Sequence, residues 1–166
     1  MQAALTDIFE FARLGRKAQG DEPIMRFERL VADLPDQPAT VVQWQVHGLC
    51  NAQDQLFLDV RASAEPTMVC QRCLKPVVVP VSATNRVQVV SSEDQLDDAS
   101  DDPEVPERIL GSNRFDLLGL VEDELILALP YVPRHDICPE PVAVTEQEME
   151  AVRPSPFAVL SQLKKD

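Results

Sequence analysis

No apolar run in this chain approaches the ~20 residues needed to cross a bilayer. The longest candidate, Leu125 to Leu129, directly follows the three acids Glu122, Asp123 and Glu124. The N-terminus lacks a basic region followed by an apolar block, so no secretory signal is expected and the compartment expected is the cytoplasm. Glycine is scarce, 5 residues against 14 prolines, and no glycine-rich phosphate loop or G-x-S-x-G elbow occurs. With only two histidines, His47 and His135, a nucleophile and base pair has little to draw on. Acids are so abundant that a close carboxylate pair would carry no information. No catalytic residue is expected, and the chain reads as a non-enzyme. Positive charge is also short: the net charge is -13, and residues 91 to 166 hold 18 acids against 6 bases where residues 1 to 90 hold 10 against 9. A surface of that sign repels a phosphate backbone, so broad DNA or RNA binding is excluded and a basic protein partner suits the second half.

What remains, 166 residues of which 45% are hydrophobic, suffices for one domain with a genuine core. The spacing of Leu5, Ile8, Phe9, Ala12 and Leu14 predicts a helix-rich start over residues 1 to 20, stopping at Gly20. Its basic cluster Arg13, Arg16 and Lys17 is either a solvated helix end or a contact for RNA or a partner. From Ala39 the period becomes two, with Val42, Trp44 and Val46 on one face. Leu56, Leu58 and Val60 repeat it, and the two segments predict a hairpin. Residues 67 to 81 and 85 to 90 add β-branched strands, with a break or an edge at Pro76 and Pro80. Residues 91 to 107 form an acidic loop too poor in apolar groups to order itself. Asp116 then caps an amphipathic helix carrying Leu117, Leu120, Val121 and Leu125, ended by Pro130, with Glu122, Asp123 and Glu124 fanning outward as a recognition surface or simply its wet side. The tail from 139 to 166 is acidic and proline-punctuated. Ser155, Pro156 and the closing lysines frame a short helix whose sticky face is Phe157 and Leu160. The expected fold is α+β: an antiparallel sheet of four to six strands, open or partly closed into a barrel, with an N-terminal, a central amphipathic and a short C-terminal helix. Residues 1 to 138 form the domain and 139 to 166 the tail.

Four cysteines in a reducing compartment point to free thiols or a metal. Cys70 and Cys73 have knuckle spacing, and His135 and Cys138 offer a second half-site of the same spacing. Together the four could hold a structural zinc ion, which takes thiolates and imidazoles in a tetrahedron. The competing reading makes Cys70 and Cys73 small buried hydrophobes. Cys50 reads as a lone thiol of a turn or the core. A zinc-stabilised protein–protein adaptor therefore stands as one function.

Three blocks carry a family resemblance: C-Q-R-C-L-K-P at Cys70 to Pro76, F-D-L-L-G-L-V-E-D-E-L-I-L-A-L-P-Y-V-P-R-H-D at Phe115 to Asp136, and S-P-F-A-V-L-S-Q-L-K-K at Ser155 to Lys165. In these residues the chain resembles the bacterial YceD family, the large ribosomal RNA subunit accumulation proteins. The resemblance implies a non-enzymatic role in synthesis, processing or stability of 23S ribosomal RNA. It also implies partners among ribosome-assembly components, such as a small basic large-subunit ribosomal protein or the rRNA itself. On that reading Glu122, Asp123 and Glu124 with Phe157 and Leu160 meet a protein, while Arg13, Arg16, Lys17, Arg26, Arg29 and Arg72 face RNA. Some members carry a second cysteine pair after the proline-rich loop, where this chain has His135 and Cys138.

Overall fold

The computed structural model describes residues 5–97 and 105–139. The chain opens with helix α1 (Ile8–Arg13), whose Asp7 carboxylate accepts from the backbone N–H groups of Phe9 and Glu10, offsetting donors that a helix start leaves unpaired. Gly15, at φ +60°, ends it within two residues, a conformation only glycine adopts freely. The expected helix to Gly20 is therefore replaced from Lys17 by a strand, β1 (Lys17–Pro23), in which Gly20 is an interior residue. A 3-10 turn (Ile24–Arg26) and the single turn α2 (Glu28–Val31) follow.

Strands β2 (Val41–Cys50) and β3 (Leu56–Ala64) form the expected hairpin. Asn51 closes its loop by accepting through Oδ1 from the N–H groups of Gln53 and Gln55. Residues 67 to 81 do break: β4 (Thr67–Val69) and β5 (Pro76–Val78) pair only with each other, around the first cysteine pair. β6 (Val81–Val90) returns alongside β3. The helical turn α3 (Asp94–Asp97) lies in the acidic segment, and β7 (Glu107–Leu110) joins β6 in parallel. Helix α4 (Leu117–Ala128) starts at Asp116, whose carboxylate accepts from the Leu118 N–H, and stops before Pro130.

The main sheet has the order β1-β2-β3-β6-β7 and stays open, with no closure into a barrel. Alternation puts Val42, Val46, Leu58, Val60, Val87 and Val89 on one face, where α1, α2 and α4 cover them with Ile8, Phe11, Leu30, Leu120, Val121 and Leu125. Each such side chain contributes roughly 1.5–3 kcal/mol by leaving water. A second, small cluster of Met68, Cys70, Cys73 and Val77 lies under the β4–β5 hairpin and touches Leu129 at the end of α4. Among the described residues no helix is long and apolar enough to cross a membrane.

Candidate metal centre

The two halves of the cysteine and histidine set reach one point from opposite directions. The β4–β5 hairpin turns tightly after Cys70: the Leu74 N–H bonds to the Cys70 carbonyl and the Cys70 N–H to the Lys75 carbonyl. Leu74 takes φ +58° to close this turn, so that the thiols of Cys70 and Cys73 face the same side. After α4, Pro130 and Pro133 turn the chain back toward the hairpin, where the Gln71 N–H bonds to the Pro133 carbonyl at 2.9 Å. His135 and Cys138 then meet the cysteine pair.

All four ligand atoms lie within 4.8 Å of one another. Cys70 Sγ is 3.9 Å from Cys138 Sγ, and Cys73 Sγ is 3.4 Å from His135 Nδ1. A tetrahedral zinc with Zn–S of about 2.3 Å and Zn–N of about 2.0 Å requires S–S edges of roughly 3.8 Å and S–N edges of roughly 3.5 Å. These two edges match, within a set whose atoms spread over up to 4.8 Å. The tautomer is also set: His135 Nε2 lies 3.0 Å from the Pro76 carbonyl, to which it can only donate, leaving Nδ1 as the lone-pair atom that faces the thiols. A backbone acceptor on the far nitrogen is the usual outer support of a metal-bound imidazole.

Charge follows the same plan. Cys70 is fully buried and Cys73 nearly so. Burial pushes the Cys70 thiol up, but the backbone N–H groups of Cys73, His135 and Arg72 outweigh it and hold the pKa at about 5. Burial pushes the Cys73 thiol up as well, and its neighbours Cys138 and Cys70 add to that. Arg72 Nε donates to Cys138 Sγ at 3.0 Å, and its Nη2 reaches the carbonyls of His135 and Asp136. That contact with the Cys138 sulfur raises the Arg72 pKa. Three thiols and one imidazole at this spacing suit a divalent soft cation, whose charge balances thiolates that otherwise repel. The reading of the pair as plain buried hydrophobes does not account for His135 and Cys138 completing the set.

Other residues expected at a functional surface are placed differently. Glu122 and Glu124 do not fan outward; each is 8% exposed. The Glu122 carboxylate accepts from the N–H groups of Arg29 and Leu30 at the start of α2, and from Arg29 Nε at 2.8 Å. It thus caps a helix that has no capping side chain of its own. Asp123 pairs with Arg29 Nη1 at 2.6 Å and stays half exposed, so the Arg29 guanidinium is turned onto α4. Glu124 accepts from Asn85 Nδ2 at 2.9 Å. Arg16 pairs with Glu10 and Arg26 with Glu22. Arg13 is exposed at the end of α1, and Lys17 sits in β1 opposite His47. Arg72 sits at the candidate metal centre, bonded to Cys138, and Cys50 is an exposed free thiol. Phe157 and Leu160 lie outside the described residues.

No solved structure matches this chain. The profile of the family described as "Large ribosomal RNA subunit accumulation protein YceD" matches residues 58–164, a span that takes in all four ligand residues. A protein of Haemophilus influenzae with the same description is 43% identical over 121 residues, which cover 68% of this chain and 67% of that protein. The blocks around Cys70 and α4 are thus more than a local coincidence of spacing, and the chain belongs to the YceD family of large ribosomal RNA subunit accumulation proteins.

Proposed function

We propose that this protein is a cytoplasmic, non-enzymatic ribosome-biogenesis factor that supports the synthesis, processing or stability of 23S ribosomal RNA. It would act by holding assembly components, and the Cys70, Cys73, His135 and Cys138 centre would carry a structural zinc ion. The observation that carries the reading is the family match, which runs through both halves of that centre. The charge asymmetry supports a basic ribosomal protein on the acidic second half, with Asp123 the member of its triplet that keeps an exposed carboxylate. The zinc has a structural role on this reading, because all four positions of the tetrahedron are taken by side chains and none is left open for a substrate.

Deleting the gene in its host and measuring the ratio of 23S to 16S rRNA tests the reading. The ratio falls in the deletion strain and is restored by the wild-type chain, while Cys73→Ser restores it in part or not at all. A deletion strain with an ordinary ratio and ordinary 50S particles would falsify the proposal.

A further inference from the structure

Among the described residues the helices pack on one face of the main sheet and leave the other bare, and strand register maps it residue by residue. Lys17 in β1 lies opposite His47 in β2, His47 opposite Asp59 in β3, and Asp59 opposite Arg86 in β6. These four therefore form a single row across four strands, on the face opposite to α1 and α4. The next row along places Arg61 between Gln45 and Thr84. Glutamine, serine and threonine fill most of the remaining positions. The row on the other side holds Phe57, half-buried, beside Leu49. Phe57 and Leu49 line a notch of about 330 Å³ together with Arg86 and Pro106.

Charge on this face runs against the rest of the molecule. Over β1, β2, β3 and β6 this face carries Lys17, Arg61 and Arg86 against Asp59 and Asp21, a local balance of +1 in a chain of -13. Arg86 is held in place by a two-pronged bond to Asp59, at 2.5 and 2.9 Å. The hydrogen bond from Arg86, and its charge together with His47 and Arg61, hold the Asp59 carboxyl below its ordinary range, with burial working against them. Lys17 and Arg61 make no ion pair among the described residues. A solvated sheet face needs polar side chains but has no need to gather the cations of an acidic protein.

We infer that the bare face of the β1-β2-β3-β6 sheet binds single-stranded RNA, with phosphates along Lys17, Arg61 and Arg86 and one base stacked in the Phe57 notch. Cations that track a backbone and an aromatic platform beside them are the two parts of a single-strand site. A duplex is a poor fit, since the face of a sheet offers no protruding helix or ribbon to enter a groove. The inference rests on the proposed role in large-subunit RNA accumulation and names the surface that would touch the RNA.

The test uses the full chain and a fluorescent single-stranded RNA of mixed sequence, followed by anisotropy over a salt series. Each phosphate contact to a single strand adds about 0.7 to the slope of log K against log salt. K17Q/R61Q should therefore lower the slope by about 1.4, and F57A should weaken binding roughly tenfold at unchanged slope. Thermal melts confirm that the variants are folded. R114Q, which alters an exposed cation of the turn before α4, serves as a control and leaves binding unchanged. No binding by the wild-type chain at low salt, or K17Q/R61Q binding as wild type does, overturns the inference. So does loss of a captured ribosomal protein, with RNA binding intact, in K17Q/R61Q. Complementation of the deletion strain separates the two readings. If the wild-type chain restores 23S rRNA and K17Q/R61Q restores it equally, the face is wrong and the proposed function stands. If deletion leaves 23S rRNA unchanged, the proposed function fails, and the anisotropy alone decides the face.

Discussion

At the scale of single residues, the acids of α4 show how little a carboxylate's neighbours in sequence say about its task. In sequence Glu122, Asp123 and Glu124 look like one wet block, yet Glu122 caps α2 from 93 positions away and Glu124 is buried against Asn85. No local pattern encodes a partner that distant, whereas the four ligands were legible because each half-site is a spacing of three within one turn. Glu124 gives a pH prediction. Burial raises its pKa above the ordinary 4.5, against the opposing bond from Asn85 and with the charges of Glu107 and Asp123 adding to the rise. Between the unfolded and folded pKa values the native state binds more protons, so this residue subtracts stability as pH rises through that window, and the loss is complete above the folded value. Glu124→Gln keeps an acceptor for Asn85 and removes the titration. Urea unfolding at about pH 4 and at about pH 8 should show the variant gaining on the wild type at the higher pH. A difference that stays constant or shrinks would contradict the assignment.

At the scale of elements, the packing of α1 on the sheet turns on Gly48. A Cβ built there would stand 2.6 Å from both Ala12 Cα and the Phe11 carbonyl oxygen, backbone atoms that cannot swing aside. Gly48→Ala should cost about 1–3 kcal/mol or more, read as a melting-temperature drop of about 2–4 °C per kcal/mol for a chain of this size. Gly20→Ala makes the contrast: its nearest neighbours are Trp44 ring atoms at 3.2 Å, and a ring edge beside the outermost strand can shift, so the drop should be smaller. Equal losses would mean that α1 does not depend on close approach at Gly48. The same elements show what periodicity reveals. β2 and β3 alternate apolar and polar residues and were readable as a hairpin, and α4 was readable from its leucines and Asp116. β1 was not, because Lys17–Pro23 has no large apolar residue and exists as a strand only through its register with β2. β7 was missed for a related reason: only four residues long, it follows an acidic stretch and pairs in parallel, so no hairpin turn announces it.

For the molecule as a whole, the candidate metal centre joins two regions that the main core holds only loosely. The β4–β5 hairpin pairs with no strand of the main sheet, and its cluster meets the rest chiefly through Leu34, Val79 and Leu129. A three-residue strand pair is too short to be stable alone. The Cys73 and His135 contact closes the chain across 62 positions, and metal binding free energy becomes folding free energy for whatever it orders. Protein purified without chelator should therefore carry about one zinc per chain, and Cys73→Ser should carry little. Stripping the metal should lower the melting temperature and speed hydrogen exchange in residues 67 to 78 and 131 to 138. The five-stranded sheet, with its own core of Val42, Val46, Leu58, Val60 and Val87, should keep its protection and its far-ultraviolet circular dichroism. If exchange rises uniformly through β2, β3 and β6, the centre supports the whole fold instead of one lobe. If neither exchange nor melting moves, the four ligands hold no structural ion.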